Sequence, residues 1–204
     1  MSAPRVLWLF GLPSAGKTTL ARAVADALRA RGRTVCILDG DEMRSGVNAD
    51  LGFSDEDRSE NLRRAAHIAK LLAGQGHTII AAFVTPKEAN RALVRGILDS
   101  TGLRLVHVDC PLDVCVGRDV KGLYAKASQK KMQGMTGTQD PFEQPQDVDL
   151  TISTNVIDIT QSARLLLDMW KEADRKGIAD LIGAAEGSEK QLRGGVSSQA
   201  WNAR

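Results

Sequence analysis

The sequence is poor in aromatic residues and in cysteine, and both shortages exclude classes of protein. Phe, Trp and Tyr make up only 4% of the chain, which is too little for an aromatic platform that stacks nucleic-acid bases. The three cysteines, Cys36, Cys110 and Cys115, are too few and too scattered for a disulfide framework or a zinc cluster. We expect all three to be reduced thiols that pack in the interior. The three histidines are not clustered, so we assign no metal to them and expect structural roles.

The sequence also lacks a charge excess and a long apolar run. A net charge of +2 over 204 residues gives no reason to expect nucleic acid or an anionic membrane surface as partner. No apolar run approaches the roughly 18 residues that a membrane-spanning helix needs, and no secretory leader precedes the first apolar run. We therefore expect a cytoplasmic protein without a nucleic-acid or membrane partner. Its length and its 43% hydrophobic content suit one α/β domain.

Residues 11–19, GLPSAGKTT, form the most informative short motif of the chain. They fit the pattern G-x-x-x-x-G-K-[ST], with Gly11, Gly16, Lys17 and Thr18 at the fixed positions. An apolar run precedes the motif and a helical pattern follows it, which is the strand, loop and helix context of a phosphate-binding loop. The alternative, a chance glycine turn before a helix, requires neither the fixed residues nor these flanks.

The residue types of this loop suit a polyphosphate ligand. Backbone N–H groups in a tight loop, together with the N-terminus of the following helix, attract anions. Lys17 is the expected partner of the β- and γ-phosphates, and the Thr18 hydroxyl is an expected ligand of Mg²⁺. The sequence thus predicts ATP and Mg²⁺ as cofactors. The predicted ATP-binding residues of the loop are Gly11, Pro13, Ser14, Ala15, Gly16, Lys17, Thr18 and Thr19.

Strand and helix patterns alternate along the chain. Strands are predicted at residues 5–10, 34–38, 77–84, 103–108 and 150–152. Helices are predicted at residues 17–31, 55–73, 87–98, 112–118 and 159–170. This alternation is typical of an α/β protein whose parallel sheet is flanked by helices on both faces. Together with the early phosphate loop, it predicts a P-loop kinase fold.

Two parts of the chain have no sustained pattern. Residues 119–149 mix glycines and prolines with charges, and a long irregular insertion in a compact domain often forms a lid. Residues 177–204 contain few large apolar residues, which favours a mobile C-terminal tail. We therefore predict a P-loop kinase domain over residues 1–176 with a lid at about 119–149.

Two aspartates follow the second predicted strand, in a polar segment with no predicted element. Asp39 and Asp41 lie at the carboxyl end of that strand, at the edge where α/β sheets bind ligands and where the phosphate loop also lies. We predict that Asp39 helps to order Mg²⁺ and that Asp41 orients the attacking hydroxyl. With Lys17, they are the predicted catalytic residues. The alternative is a plain Asp-Gly turn.

Three cations, Arg44, Arg58 and Lys121, lie in segments expected to surround the acceptor of the phosphoryl group. They favour an anionic acceptor that carries phosphate or sulfate, and Phe53 is suited to stack on a base. The alternatives are surface positions for the cations and a buried anchor for Phe53. Arg58 and Asn61 extend the apolar stripe of the second predicted helix, which places them either at a site or on a solvated, fraying end.

Five ordered segments carry a resemblance that is more specific than the phosphate loop. Besides GLPSAGKTT they are LDGDEMRSGVNADLGFSDEDRSENLRR at residues 38–64, AAFVTP at 81–86, VDCPLDVCVGRDVKGLYAKA at 108–127 and MTGTQDPFEQP at 135–145. With them the sequence resembles the adenylylsulfate kinase (APS kinase) family of P-loop kinases over about residues 5–170. The resemblance implies phosphorylation of adenosine 5′-phosphosulfate by ATP, which gives 3′-phosphoadenosine 5′-phosphosulfate. It also implies a homodimer and a lid that closes over both nucleotides.

The resemblance further implies roles for individual residues. Arg118 would lie near ATP. The acceptor would be contacted by Asp41, Arg44, Phe53, Arg58, Asn61, Val84, Thr85, Lys121, Leu123, Met135 and Thr136. These roles agree with the residue chemistry, in which carboxylates meet a hydroxyl and cations meet phosphosulfate.

Four residues depart from the family pattern. Glu42 stands where the family usually has Asn, Ser45 where it has His, and Thr85 where it has Ser. Met135 replaces a lid Phe that sandwiches the acceptor's adenine together with Phe53, so we expect weaker acceptor binding. Two alternatives stay open: a kinase of the same fold that acts on a different small nucleotide or sugar-linked anion, and a nucleotide-binding regulatory module without turnover.

Overall fold

The strands form one parallel sheet, as the alternating pattern predicts. The computed structural model describes residues 5–119, 122, 124–125, 136–137 and 140–170. Within them the strands are β1 Val6–Phe10, β2 Val35–Asp39, β3 Thr78–Phe83, β4 Leu103–Asp109 and β5 Leu150–Ser153. Their order in the sheet is β2-β3-β1-β4-β5, and every neighbouring pair is parallel.

Helices cover both faces of this sheet. They are α1 Lys17–Arg29, α2 Gly40–Arg44, α3 Asp55–Gly74, α4 Glu88–Leu98, α5 Leu112–Arg118 and α6 at residues 159–170, with a 3₁₀ turn at Asp99–Thr101. One apolar cluster, which includes Val24 and Leu166, joins α1 and α6 to one face. A second cluster, which includes Ala66 and Val94, joins α3 and α4 to the other face. The predicted fold class is therefore confirmed. Where the chain is described, no helix is long and apolar enough to span a membrane.

The central position of β1 explains its sequence and places the phosphate loop. All 5 residues of β1 are buried between β3 and β4. A strand covered on both faces has no polar side, which accounts for the unbroken apolar run. Because the strands are parallel, the segments that follow them converge at one edge. Asp39 is the last residue of β2, and the phosphate loop, Thr85 and Thr154 follow β1, β3 and β5 in this way.

One short helix is not predicted by the sequence pattern. α2 begins directly after β2, and its N-cap is Asp39, whose side chain accepts a hydrogen bond from the Asp41 N–H. A helix of 5 residues is too short to show a helical period of apolar positions. The alternative of a plain Asp-Gly turn is wrong, because a capped helix starts here.

The C-terminal part of the predicted lid, residues 142–149, is docked on the domain, and we call it the strap. The rings of Phe142 and His107 stack with centroids 5.6 Å apart. The Glu143 N–H donates to the Pro86 carbonyl at 2.9 Å. A moving lid would therefore have to lie before Phe142. Most of that earlier stretch, like the predicted tail, lies outside the described residues, and the limits of the kinase domain stay a prediction.

All three cysteines are free thiols, as the sequence predicts. Cys110 and Cys115 are buried. Cys36 is only half-buried, because it lies on β2 at the edge of the sheet. Burial raises the pKa of the Cys115 thiol to about 12, so that this thiol is protonated and unreactive at neutral pH.

His107 has the structural role predicted for the histidines. It lies on β4, is 6% exposed and packs against the rings of Phe10 and Phe142, with centroids 5.2 and 5.6 Å away. Burial lowers the pKa of His107 below its ordinary value, and the nearby Arg91 cation adds to this, whereas the Asp109 carboxylate opposes it. The folded protein therefore favours a neutral imidazole at this position.

Acidification should destabilise the protein through His107. Since the pKa of His107 is lower in the folded than in the unfolded state, the unfolded chain binds more protons. The contribution of this group is complete above about pH 6.5 and is lost as the pH falls below that value. His107→Phe keeps a ring in the aromatic cluster and should reduce the loss of unfolding free energy between about pH 7 and pH 5.5, measured by urea denaturation. The exposed His67→Gln is the control, and equal losses in wild type and His107→Phe would contradict the assignment.

Candidate active site

The phosphate loop connects β1 to α1, and its backbone explains its glycines. Gly11 has a φ of 154°, and a Cβ there would lie 2.2 Å from the Val108 carbonyl oxygen of β4. Gly16 is the N-cap of α1 with a φ of 97°, in the region that favours glycine. Ser14 also has a positive φ, of 61°, which adds local backbone strain. A tight loop at a helix N-terminus is suited to bind phosphate through its amides.

Lys17, the first residue of α1, folds back against this loop. Its ammonium group donates to the carbonyls of Gly11 at 3.0 Å and Leu12 at 2.7 Å. Only 9% of the residue is exposed. The positive charge is therefore held at the loop, next to the helix N-terminus that itself favours anions. Thr19 lies two residues further on, in the first turn of the same helix.

Thr18 and Asp39 join the start of α1 to the end of β2. The Thr18 hydroxyl donates to Asp39 Oδ2 at 2.6 Å, and Asp39 Oδ1 accepts from the Asp41 N–H at 2.9 Å. Asp39 is 5% exposed, so its carboxylate is surrounded almost entirely by protein groups. These two side chains, predicted as metal ligands from separate segments, lie in direct contact.

Asp41 is the more accessible of the two aspartates. It lies exposed in the first turn of α2, whereas both oxygens of Asp39 already accept hydrogen bonds. Gly40 allows α2 to start this close to β3, since a Cβ there would lie 3.1 Å from the Phe83 ring. An accessible carboxylate at this edge of the sheet is suited to accept a hydrogen bond from a ligand hydroxyl.

Two arginines flank Phe53. The guanidinium carbon of Arg44 lies 4.7 Å from the ring centroid and that of Arg58 lies 5.8 Å away. Phe53 is 46% exposed, so the alternative of a buried anchor is wrong. Burial lowers the pKa of Arg44, as does the Arg58 cation, while the carboxylates of Asp57 and Asp41 raise it. Two crowded cations beside an accessible ring are suited to bind an anion that carries a flat group.

Arg58 connects α3 to the segment that precedes the docked strap. It donates to the Phe53 carbonyl at 3.0 Å and to Thr136 Oγ1 at 3.2 Å. It also pairs with Asp140 at 3.6 Å, and its side chain is 13% exposed. The alternative of a solvated, fraying helix end is wrong for Arg58, because its guanidinium group is held by three residues from two separate parts of the chain.

Asn61 is likewise buried, and Asn48 fixes its orientation. Asn61 is 4% exposed, and its Oδ1 accepts from Asn48 Nδ2 at 2.7 Å. The solvated alternative is therefore wrong for Asn61 as well. Asn48 is completely buried, and its own Oδ1 has no hydrogen-bond partner among the described residues. Sequence reasoning missed Asn48, although an Asn in the segment between Asp41 and Phe53 was a signal.

A salt-bridge network holds the segment between α2 and α3 in place. Arg64 donates to both oxygens of Asp50, at 2.8 and 2.9 Å, and to Glu60 at 2.8 Å. Arg63 bonds the same Glu60 at 2.6 Å. Hydrogen bonds from these arginines lower the pKa of Glu60 to about 2. The network ties the loop that carries Phe53 to α3.

The backbone after β3 contacts the phosphate loop directly. The Val84 carbonyl accepts from the Gly11 N–H at 3.3 Å. Thr85 has a φ of 43°, which is costly for a β-branched residue. The residue is 1% exposed, and its hydroxyl accepts from Trp8 Nε1 at 3.0 Å. The Thr85 side chain thus faces the core and the whole residue is buried, so the half-buried Val84 is the residue of this segment left to contact a ligand.

Thr154 connects Arg118 to the phosphate loop. Arg118 donates to the carbonyl and hydroxyl of Thr154 at 2.8 and 3.2 Å. The Thr154 hydroxyl donates to the Ala15 carbonyl at 2.9 Å. Tyr124 similarly donates to the Pro13 carbonyl at 3.1 Å. Sequence reasoning missed Thr154, for which a polar residue directly after the last strand was the signal, and Tyr124, the only tyrosine of the chain.

Most of the predicted site residues thus converge at one edge of the sheet. Three of the predicted acceptor contacts, Lys121, Leu123 and Met135, lie outside the described residues. Their roles stay predictions.

A known family matches this arrangement. The model of the family described as adenylylsulphate kinase matches residues 3–153, a range that includes the phosphate loop, both aspartates and all five strands. The chain belongs to the adenylylsulphate kinase family. Its family resemblance in sequence is therefore confirmed.

Individual members of the adenylylsulphate kinase family match most of the chain. It is 46% identical over 169 residues to the adenylyl-sulfate kinase of Paraburkholderia xenovorans, which covers 82% of this chain and 94% of the relative. The APS kinase CysC of Mycobacterium tuberculosis, solved in complex with AMPPNP and APS, has a TM-score of 0.79 and 38% identity, with 84% of this chain and 99% of that one covered. A hexameric APS kinase from Thiobacillus denitrificans has a TM-score of 0.62 and 27% identity, with 82% of this chain and 28% of that longer chain covered.

The two loop glycines should differ in how much a methyl group costs. Gly11→Ala should lower the free energy of unfolding by more than about 3 kcal/mol, because it adds an overlap with the Val108 carbonyl to backbone strain. Gly16→Ala has open space around it and should cost only about 1–2 kcal/mol of backbone strain. Urea denaturation of both variants measures the difference. Equal losses would contradict the close approach of the loop to β4.

Proposed function

We propose that this protein transfers the γ-phosphoryl group of ATP to the 3′-hydroxyl of adenosine 5′-phosphosulfate. The observation that carries the proposal is the meeting of two half-sites at one sheet edge. The phosphate loop with Lys17 forms one half, and the exposed Phe53 between two arginines forms the other. The family and the relative solved with AMPPNP and APS support this choice of nucleotides.

On the ATP side, the protein contributes positioning and positive charge. The loop amides and Lys17 bind the phosphates and stabilise charge that develops on the transferred group. When ATP enters, Lys17 exchanges its two loop carbonyls for phosphate oxygens. Arg118 holds Thr154, and Thr154 in turn donates to the Ala15 carbonyl of the loop.

The residues present suit Mg²⁺ at the phosphate loop. Magnesium prefers hard oxygen ligands and retains several waters, and the Thr18 hydroxyl and the Asp39 carboxylate already lie 2.6 Å apart. In this proposal Thr18 would ligate the ion and Asp39 would order it. When bound, Mg²⁺ neutralises negative charge on the phosphates.

On the acceptor side, charge and shape select the ligand. Arg44 and Arg58 bind the phosphosulfate group, and Phe53 stacks on the adenine. The fixed amide of Asn61 and the backbone at Val84 and Thr85 complete the contacts. Asp41 accepts a hydrogen bond from the 3′-hydroxyl and orients it for in-line attack on the γ-phosphorus. A regulatory module without turnover would not need that carboxylate.

Two departures from the family pattern have local partners away from Phe53. The Glu42 carboxylate lies 3.6 Å from Arg22, and the Ser45 hydroxyl donates to the Glu42 carbonyl at 2.8 Å. Both residues are exposed. They therefore give no specific support to an acceptor other than adenosine 5′-phosphosulfate. The homodimer that the resemblance implies is part of the proposal and is tested by the mass of the protein in solution.

The direct test is a coupled assay of ADP release with a panel of acceptors. With Mg²⁺–ATP present, adenosine 5′-phosphosulfate should give the highest kcat/KM among adenosine 5′-phosphate, other nucleoside monophosphates and sugar phosphates. Higher turnover with another member of the panel would contradict the proposed acceptor. Release of ADP with none of them would favour a binding module.

Asp41→Asn should slow the chemical step more than it weakens ATP binding. The amide preserves size but removes the charge that polarises the acceptor hydroxyl, and loss of such a group typically costs about 10²–10⁴-fold in rate. We expect kcat to fall within that range while the KM for ATP changes little. Glu42→Gln, at the next position of α2, is the matched control. An unchanged kcat in Asp41→Asn would remove this carboxylate from the reaction.

Met135→Phe should tighten acceptor binding. A phenyl ring stacks on adenine with a more defined geometry than a thioether, a gain of about 0.5–1.5 kcal/mol. The KM for adenosine 5′-phosphosulfate should therefore fall several-fold, with the KM for ATP as internal control. An unchanged or higher KM would favour an acceptor without adenine.

A further inference from the structure

Arg91 is a buried cation that the proposed chemistry leaves without a role. It lies on α4 with 0% of its surface exposed, and arginine is almost never fully buried without partners. Its Nε donates to Glu88 at 2.7 Å, and the side chain of Glu88 is 45% exposed. A single half-exposed carboxylate is little compensation for a fully desolvated charge, so the other contacts of the guanidinium group decide why it is there.

Those other contacts are backbone carbonyls from two segments. One segment lies just before α4, and the other lies in the strap, 52 residues after Arg91. One terminal nitrogen donates to the carbonyls of Thr85 at 3.2 Å and Pro86 at 3.1 Å. The second donates to the Glu143 carbonyl at 3.1 Å. The guanidinium carbon also lies 5.3 Å from the centroid of the Phe10 ring, at the end of β1. The planar fork therefore links the ends of two strands to the docked strap.

The first of these segments is the one under strain. Thr85 has a φ of 43°, and a β-branched residue keeps such a conformation only when its surroundings enforce it. The Trp8 indole holds the Thr85 side chain, and Arg91 holds its carbonyl. The preceding carbonyl, of Val84, accepts from the Gly11 N–H of the phosphate loop. The strained residue is therefore the direct neighbour of a residue that contacts this loop.

The second segment borders the acceptor half-site. Glu143 lies just after Thr136 and Asp140, both of which contact Arg58. The Glu143 N–H also donates to the Pro86 carbonyl at 2.9 Å. Arg91 thus links the segment at Thr85 and Pro86 to the strap at Glu143, and both segments border the acceptor half-site. The ATP half-site has other supports, such as the contact of Thr154 with the Ala15 carbonyl.

We propose that Arg91 is a positioning residue for the acceptor nucleotide: it holds Thr85 in its left-handed conformation and joins it to the strap. This inference rests on the proposed function. Loss of the fork lets the Thr85 backbone relax toward an extended conformation, and this displaces the adjoining Val84 and the strap at the acceptor half-site. The affinity for the acceptor falls as a result, while the affinity for ATP is retained.

The test compares Arg91→Met and Arg91→Lys with wild type in the full chain. The KM and the equilibrium Kd for adenosine 5′-phosphosulfate should rise at least about tenfold, as expected for lost hydrogen bonds from a charged group. The Kd for a non-hydrolysable ATP analogue should change by less than about twofold. Lys keeps the charge but cannot reach both segments with one ammonium group. Arg91→Lys decides the test if Arg91→Met does not fold.

Arg95→Met is the matched control. Arg95 lies one turn further along α4, donates to Glu88 at 2.8 Å and to the Asp147 carbonyl, and so ties the same strap without contacting Thr85. It should leave the acceptor Kd nearly unchanged. An equal rise in Arg95→Met and Arg91→Met would reduce Arg91 to a general tether and overturn the proposal.

Thr85→Gly separates positioning from a merely structural role. Glycine adopts a positive φ without strain, so the acceptor penalty of Arg91→Lys should shrink in the Thr85→Gly background. Additive effects of the two changes would overturn the proposal, as would folded Arg91 variants that bind the acceptor like wild type. A wild type that binds the ATP analogue but not adenosine 5′-phosphosulfate would instead overturn the proposed function, and this inference with it.

Discussion

The hydrogen bond between Thr18 and Asp39 is the contact on which the geometry of the site depends. It joins the start of α1, directly after the phosphate loop, to the end of β2, from which α2 and Asp41 begin. β1 and β2 are not neighbours in the sheet, because β3 lies between them. The two strands therefore cannot contact each other along their length, but the segments at their carboxyl ends can. This 2.6 Å bond joins the ATP half-site to the start of the segment that carries Asp41 and Arg44. A buried carboxylate with both oxygens committed is also a rigid reference point.

The strand between them completes the connection. Just after β3, the Thr85 hydroxyl turns inward to Trp8 and away from the ligand edge. Instead the Val84 carbonyl holds the phosphate loop, and the Thr85 and Pro86 carbonyls are held by Arg91. Backbone strain at a ligand edge persists only where packing enforces it. The same packing that buries Arg91 therefore maintains a backbone shape that an isolated segment would not adopt.

Sequence patterns predict this protein where the signal is a short spacing along the chain. The apolar run of β1, the stripe of α3 and the fixed positions of the phosphate loop are such patterns, and each was predicted close to its observed bounds. The 5 residues of α2 are too few for a period. Arg91 shares the buried face of α4 with Val94 and Leu98, but its partner Glu143 lies 52 residues away and no sequence pattern connects the two. Arg58 and Thr136 are 78 residues apart, and only the fold brings such polar groups together.

The proposed reaction transfers an ATP phosphoryl group to a specific hydroxyl of an anionic adenine nucleotide that lies against Phe53 and its two arginines. Phosphorus NMR of the product formed from ATP and adenosine 5′-phosphosulfate tests this reaction most directly. We expect a new phosphomonoester on the ribose 3′-oxygen with the phosphosulfate group intact, formed in equal amount with ADP. A phosphoryl group on another oxygen, or ADP formed without a phosphorylated nucleotide, would contradict it.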